Sequence, residues 1–560
     1  MSGFIQTAPS FESPYSNDEL LNELLDRFLD SKARAFVHED FLNFEKRIVH
    51  ELEGYVQDCI KNPPRLIPFT PWGEKLDNIE TCSGWKQLDR VSSEEGIVAI
   101  GYERKFKHLS RFVQFLKLYL FHPSSAYYSC PLAMTDGAAR LIEVYGDQNL
   151  KNKAYKNIIT RNPSQFWTSG QWMTERSGGS DISKTETIAV KKGDHYVLSG
   201  VKWFTSATTS QMAMTLARIV DEKGNSVEGS RGLSLFYIEL RDEKNKLNGI
   251  EILRLKDKLG TKALPTAELK LQGTKAFLVG EIGQGVKTIS TLFNITRIYN
   301  ATTTVGAWKR ILDLAVDYSK KRQAFKKLLK DHPLHFQTLA KARIEFEASF
   351  HLISFVALLL GIEECQSGPL EVEEAKGLLR LLTPIAKLYT AKKHMGHCSE
   401  LIESFGGAGY IEDTGLPTWL RDAQVLTIWE GTTNVLSLDV HRAMAKENAF
   451  HPWVKMMTQK LNLIGHKELI LSKQRIESLF KETCKIVSSF AQRDPLDQEA
   501  RMRALSFAIG DLTCAALMLE HAQATQNPKR LFTANQFSSE ISIHELEKGR
   551  NLKAEHELLF

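Results

Sequence analysis

The stretch TETIAVKKGDHYVLSGVKWFT, residues 185–205, decides the fold, because β-branched and aromatic residues alternate in it around the turn-forming KKGD. A period of two belongs to strands. GLSLFYIEL (232–240) and AELKLQGTKAFLVG (267–280) continue in kind, so residues 167–285 are expected to form a β domain, closed by the glycine-rich turn GEIGQG at 280–285. On the N-terminal side the period changes: Leu109, Phe112, Val113, Leu116 and Leu120 recur at spacings of three and four. This predicts a helical domain over 1–166. On the C-terminal side Phe346, Phe350, Ile353, Ala357 and Leu360 step by four and three, a seam suited to a helical bundle over 286–446. HPW at 451–453 makes a boundary, and LILSKQRIESLF and ALSFAIGDLTCAALMLE, separated by the breakers in RDPLD and QNPKR, predict a further helical domain over 447–560. The fold class is therefore α+β, mainly α: an N-terminal helical domain, a middle β-barrel or sandwich, a C-terminal bundle and an extra helical domain. Segregated helices and strands argue against a doubly wound, dinucleotide-binding sheet.

Composition sets outer bounds. At 560 residues the chain exceeds what one core usually serves. Seventy-two basic against sixty-seven acidic residues leave +5, a mild balance spread along the chain that does not call for nucleic acid. Seven scattered cysteines without CxxC spacing suit a reducing compartment. The acidic first thirty residues carry no signal core, the C-terminal HELLF matches no common retrieval signal, and the longest apolar run, Ile353 to Ile362, is about half of a bilayer span. A cytoplasmic protein without a transmembrane segment is the expectation.

Three segments can carry chemistry. In WMTERSGGSD (172–181), Gly178 and Gly179 let the backbone approach a ligand while Thr174 and Ser180 offer hydroxyls, although the same composition serves a plain loop leading into a strand. In DYSKKRQAFKKLLKDHPLHFQ (317–337), Arg322, Lys326 and Lys327 stand beside Phe325; a guanidinium can fork onto a diphosphate, and a basic run also serves as a solvated face. In ESFGGAGYIEDTGLPTWLRDAQVLTIWEGTTN (403–434), a carboxylate at Glu430 walled by Ile428 and Trp429 would be desolvated and a better base, and a glutamate before glycine also occurs as a helix-end surface charge. His394, His397 and Cys398 in KKHMGHCSE lack a fourth ligand at recognisable spacing, so no metal is expected. Walker A, G-x-S-x-G and HExxH motifs are missing from the sequence, which disfavours a P-loop NTPase, a serine hydrolase and a zincin.

Taken together and in this order, the segments resemble the acyl-CoA dehydrogenase superfamily over roughly residues 100–445: WMTERSGGSD is similar to the family's T-E-x-x-x-G-S-D flavin loop, GVKWFTSA to its second flavin strand and WEGTTN to its catalytic E-G-T segment. NPPRLIPFTPWG (62–73), RLKDKLGTKALPTAEL (254–269) and the long C-terminal extension resemble the AidB-like branch, with its eukaryotic long-chain acyl-CoA binding members. The resemblance implies FAD as cofactor, with Met173, Thr174, Ser180, Phe204 and Ser206 at the flavin, Arg322 and Phe325 reaching the adenine and diphosphate side from a neighbouring subunit, Gly406 and Gly407 closing over it, and Thr432 and Asn434 on the same cofactor. It implies Asn294, Thr296 and Arg297 as substrate-holding residues and Glu430 as catalytic base. Lys326 stands where the family has glycine, and Glu403 and Asn434 each replace a glutamine.

The implied reaction is α,β-dehydrogenation of a medium- or long-chain fatty acyl-CoA: Glu430 takes the α proton, the carbonyl is polarised by the Glu430 N–H and a ribityl hydroxyl, and a hydride passes from the β carbon to the flavin. An electron-transfer flavoprotein as acceptor and a homo-oligomer, a dimer or a homotetrameric dimer of dimers, belong to the same implication. Two alternatives stand beside it: a flavoprotein that sequesters acyl-CoA and so regulates lipid metabolism, and an AidB-like DNA-associated flavoprotein that protects against alkylation. For the latter, the nearly balanced charges of residues 451–560 offer no basic stripe.

Overall fold

The computed structural model describes residues 5–548 and 551–560, and its contacts divide the chain into two compact units: Met1–Phe36, Phe106–Leu116 and Asn300–Phe560 in one, Val37–Lys105 and Lys117–Tyr299 in the other. The second unit holds the sheet. After a separate hairpin, β1 (Arg65–Phe69) and β2 (Lys75–Glu80), come β3 (Ser169–Trp172), β4 (Ile188–Lys192), β5 (His195–Ser206), β6 (Met212–Val220), β7 (Leu233–Glu239), β8 (Ile250–Leu255) and β9 (Thr266–Val279). β4 pairs with β5 and β6, β5 with β9, β9 with β7, and β7 with β6, so five strands close into a barrel. β3 joins β6 in parallel and β8 lies antiparallel on β9. The alternation seen in the sequence of β5 follows from one face meeting the core of Trp172, Leu198, Phe236, Ile238 and Leu269, whereas β7 is buried at all but its last position and reads as a continuous apolar run.

The hairpin β1–β2 corrects the expectation of an all-helical region over 1–166. Pro63, Pro64 and Pro68 break a helix there, and the strands form because Leu66 and Ile79 pack against the barrel core, with Ile252 N donating to the Asp77 carboxylate at 3.3 Å. Those partners lie far along the chain, beyond the reach of local periodicity.

The first unit is a helical bundle. Its helices Pro333–Cys365 and Val372–Glu403 pack on each other, with Leu416–Leu426 and Thr433–Glu447 against the latter. Pro333 sits in the first turn, where its missing N–H costs nothing. The helices Pro333–Cys365 and Pro495–Thr525 are long and apolar enough to cross a membrane, yet 94% and 78% of their apolar windows are buried inside the fold, and they serve as core helices. Gly361 lets the segment 106–116 approach, since a Cβ there would lie 1.9 Å from the His108 carbonyl oxygen. Arg111 on that segment donates two hydrogen bonds of 2.8 Å to Glu364, both side chains buried.

The C-terminal extension is built into this unit. Helix Pro495–Thr525 packs on Pro333–Cys365 and Thr433–Glu447, Gly510 lies against the Tyr389 ring, and the Tyr389 hydroxyl donates to Asp511 at 2.7 Å. The N-terminal helix Glu19–Phe28 is pinned to the extension through Glu23, which accepts from Arg530 at 2.8 Å and pairs with His521 at 2.9 Å.

Candidate functional site

In the barrel unit the loop after β3 is shaped from beneath. Glu175 is buried, and its carboxylate accepts from Lys202 Nζ at 2.7 Å, the Thr187 hydroxyl at 2.5 Å and Glu186 N at 2.6 Å. Lys202, fully buried, also donates to the Leu216 carbonyl at 2.9 Å. Burial alone would raise the Glu175 carboxyl, but the Lys202 ammonium and the hydrogen bonds hold it below the ordinary value; burial lowers Lys202 even with Glu175 beside it. The loop backbone is tied to β5 by Trp203 N donating to the Thr174 carbonyl at 2.9 Å. Above this anchor Met173 is buried, Thr174 is half-buried, and Ser180 lies on the exposed apex; a Cβ on Gly178 would sit 2.7 Å from the Asp181 carbonyl oxygen, so the turn needs glycine.

A bulge between Lys202 and Thr205 in the β5–β9 register re-aims the next side chains. Phe204 is thereby 55% exposed, with the Lys256 ammonium 4.7 Å from its ring centroid, and the Ser206 hydroxyl shares a 3.0 Å hydrogen bond with Thr266. Lys256 also stands 3.4 Å over Trp203 and donates to buried Glu268 at 2.6 Å, while Lys258 donates to the carbonyls of Thr261 and Leu264. The lysines of RLKDKLGTKALPTAEL thus order the segment beside Phe204.

Asn294, Thr296 and Arg297 lie on helix Gly285–Lys321. Asn294 and Arg297, three apart, are half-buried on one face; Thr296 is buried and its hydroxyl donates to Phe293 O within the same helix at 3.2 Å.

In the bundle unit a cleft of about 710 Å³ brings together Arg322, Gly406 and Gly407, with Tyr318, His335 and Glu403 on its wall. Cβ atoms added to Gly406 or Gly407 would meet nothing within 4 Å, so the turn offers bare backbone to the cleft. Phe325 does not join them. It occupies, with Lys326, the tip of a hairpin formed by Gln323–Ala324 and Lys327–Leu328; both tip residues have left-handed backbones, φ +51° and +64°, and Phe325 is 92% exposed.

The turn bearing Glu430 follows helix Leu416–Leu426 and precedes helix Thr433–Glu447. Glu430 itself has φ +58° and Gly431 φ +107°. Lys387, fully buried, donates to the Gly431 carbonyl at 2.6 Å and fixes the turn from within the bundle. The expected enclosure of the carboxylate is only partly met: Glu430 and Trp429 are half-buried, but Ile428 is 53% exposed, because helix Leu416–Leu426 ends two residues earlier and the turn swings it outward. Thr432 and Asn434 are exposed just beyond, and Asn434 Oδ1 accepts from Arg503 of the C-terminal extension at 3.0 Å.

The candidate metal residues have another occupation. His394 and His397 lie against the Trp308 ring, at 5.7 and 4.9 Å between centroids, and burial with nearby Lys393 and Lys341 lowers His397 to about 4. Among the described residues no cluster of three or more His, Cys, Asp and Glu side chains is arranged to hold a metal.

Four residues escaped the reading of the sequence: Glu175, Lys202, Lys387 and Arg503. One signal was available, since Lys202 shares strand parity with Tyr196 and Leu198, both buried, and an inward lysine demands a buried acid.

Each unit by itself has features that fit an FAD: the bundle unit has a cleft lined by a guanidinium and an unobstructed glycine turn, and the barrel unit has a loop presenting hydroxyls and backbone and an uncovered aromatic ring on the bulge. The chain matches the acyl-CoA dehydrogenase C-terminal domain over residues 283–445 and its middle domain over 170–274, the adaptive response protein AidB N-terminal domain over 9–162, and the acyl-CoA dehydrogenase 11 C-terminal domain-like family over 448–557. It is 42% identical to acyl-CoA dehydrogenase family member 11 of Caenorhabditis elegans, over 100% of this chain and 93% of that protein. The crystal structure of that ACDH-11 in complex with C11-CoA superposes with a TM-score of 0.95, at 41% identity, covering 100% of this chain and 97% of the other. The apo form of Bd2924 gives 0.85 at 47% identity, covering 93% and 100%. The fold alone is shared with an acyl-CoA dehydrogenase from Bacillus anthracis complexed with FAD, TM-score 0.73 at 18% identity, covering 99% and 94%.

Proposed function

Since the chain belongs to the acyl-CoA dehydrogenase family, whose cofactor is FAD and whose general activity is oxidoreduction at a CH–CH group, we propose that it dehydrogenates medium- or long-chain fatty acyl-CoA with Glu430 as the base. The observation that carries this reading is the backbone of Glu430. A left-handed glutamate is costly, by roughly 1–2 kcal/mol, and such strain persists where surrounding structure over-determines it, as at active sites. Here the helix ends, Gly431 and the Lys387 bond impose it, and the result is a carboxylate presented from a rigid turn rather than from a helix face.

FAD, when bound, accepts the hydride equivalent released from the β carbon and supplies the redox chemistry. The chain's own residues do the rest. Glu430 removes the α proton, and its backbone N–H polarises the thioester carbonyl, which stabilises the developing enolate. Thr174 and Ser180 offer hydroxyls and loop amides to the flavin, Phe204 offers an aromatic face, and Arg322 with the Gly406–Gly407 turn holds the diphosphate end. Arg297 and Asn294 orient substrate from their shared helix face. The exposed Phe325 supports a homo-oligomer in which this hairpin reaches a cofactor held by a neighbouring subunit. An electron-transfer flavoprotein is the proposed acceptor. C11-CoA in the C. elegans structure supports an acyl-CoA ligand of that size class for this chain.

The test is an anaerobic titration with saturated acyl-CoAs from about four to eighteen carbons, comparing wild type with Glu430→Gln. Bleaching of the flavin with a chain-length optimum, absent in the variant although it still binds, supports the reading. Stoichiometric binding without bleaching in wild type overturns dehydrogenation and supports sequestration of acyl-CoA instead.

A further inference from the structure

The C-terminal extension lies outside the match to the acyl-CoA dehydrogenase C-terminal domain, 283–445, and within the match to the acyl-CoA dehydrogenase 11 C-terminal domain-like family, 448–557, and it delivers one side chain to the segment that follows Glu430. Arg503, on helix Pro495–Thr525, donates through NH1 to Asn434 Oδ1 at 3.0 Å. Its neighbours behave differently. Arg493 and Arg501 are each paired with Asp497, at 3.0 Å, and Arg501 also donates to the Leu546 carbonyl. Arg503 meets a neutral amide and is otherwise exposed, so its positive charge is not consumed by a carboxylate within 4 Å among the described residues.

By the family resemblance Asn434 replaces a glutamine, one methylene longer, and a shorter amide has less reach. The guanidinium placed on its carbonyl oxygen restores that reach and adds a charge. It also orients the amide, because Oδ1 facing Arg503 leaves the Nδ2 donors turned away from it.

We infer that Arg503 is a cofactor-binding residue contributed by the extension, a guanidinium that takes a phosphate of the dinucleotide beside Thr432 and Asn434; this rests on the proposed FAD site and on the place that the family resemblance gives those two residues at it. A guanidinium recognises phosphate oxygens by charge-assisted, often bidentate hydrogen bonds, and a lysine preserves the charge without the fork. The extension thereby becomes part of the FAD site.

The experiment uses the full-length protein, stripped of flavin and titrated with FAD by quenching of flavin fluorescence, together with thermal melts of the flavin-free form. Arg503→Met is expected to weaken FAD binding by roughly tenfold, with Arg503→Lys recovering part of it and the loss shrinking as salt is raised. The flavin-free melting temperature should not move, since substitutions of exposed side chains leave stability nearly unchanged. Arg322→Met serves as the reference. If it weakens FAD binding while Arg503→Met leaves it unchanged, the inference about Arg503 is overturned and the FAD reading stands. If Arg503→Met lowers the flavin-free melting temperature and lysine recovers no binding, the residue is structural and the inference is again overturned. A wild-type protein that takes up no FAD overturns both.

Discussion

The loop Met173–Asp181 and the turn Trp429–Asn434 are both short glycine-bearing segments with polar residues at their tips, but they are held by opposite means. The loop rests on a buried ion pair: Glu175 and Lys202 are desolvated together, and four donors converge on one carboxylate. The turn rests on backbone strain imposed by two flanking helices, with one ammonium closing it at the Gly431 carbonyl. The proposed roles call for this difference. A loop proposed to receive a cofactor has to keep one shape in the protein with and without it, and a network satisfied from inside the barrel gives that. In the turn, the Lys387 bond falls on the Gly431 carbonyl, so the backbone beside Glu430 is held from within the bundle.

The largest effect tests the turn. Glu430→Gln removes the proposed base and should lower turnover by about 10³- to 10⁴-fold while acyl-CoA binding persists, read from single-turnover flavin bleaching. Glu430→Gly should be equally inactive yet no less stable, since glycine accepts φ +58° without steric cost. A destabilised Glu430→Gly would show that the carboxylate, and not the backbone, organises the turn. Next comes the loop. Glu175→Gln strands a buried lysine and should cost about 3–5 kcal/mol with loss of FAD, whereas Glu175→Leu combined with Lys202→Met should regain most of the stability. The linkage has a definite sign: the folded-state carboxyl lies below its ordinary value, so its stabilisation is complete above that value and is lost as pH falls through the lowered one. Wild-type FAD retention should therefore decay in that acid range. The doubly apolar protein should not show that decay, and an unchanged acid limb would argue against the pair as the anchor.

Much of this was legible in the sequence because it is local. The strand period of 185–205 and the helical seam of 346–360 depend on neighbours a few residues away, and the middle β barrel and the helical bundle follow from them. What escaped was non-local or charged. The hairpin Arg65–Glu80 owes its strands to a barrel core assembled from residues after 172, and its prolines read as breakers. Glu175 and Lys202 are 27 residues apart and each looks like surface taken singly. Ile428 was expected to shelter Glu430 because it precedes it by two, but where helix Leu416–Leu426 stops, side-chain direction is set by the turn and not by spacing. Arg503 belongs to a segment whose periodicity announces only a helix.

Lys387 sharpens the contrast from the turn's side. Lys387→Met keeps the length and apolar stem of the side chain and removes the 2.6 Å bond to Gly431 O, a charge-assisted contact worth about 1.5–3 kcal/mol. Because the contact fixes the position of Glu430 rather than binding substrate, kcat should fall by roughly tenfold or more with KM little changed. An effect confined to KM would move Lys387 from the turn to the substrate site.

The smallest effect concerns a third turn, strained like the second. The hairpin tip Phe325–Lys326 is left-handed at two consecutive residues, and two-residue hairpin turns of this kind favour glycine at the second position. Lysine there carries a left-handed penalty of about 1 kcal/mol, partly offset by the larger entropy that glycine would lose on folding. Lys326→Gly should therefore leave the melting temperature unchanged or raise it by a degree or so, and the position of Arg322 at the start of the hairpin should be preserved. FAD affinity separates the remaining possibilities. If it falls with Lys326→Gly but recovers with Lys326→Arg, the charge at the tip contributes to holding the dinucleotide, and the strained lysine is kept for binding, as strained Glu430 is proposed to be kept for chemistry. If affinity is unchanged and stability rises, the tip is a solvated turn that tolerates its strain because Arg322 N bonds to Tyr318 O and Leu329 N to Arg322 O close the hairpin on both sides, each at 2.9 Å.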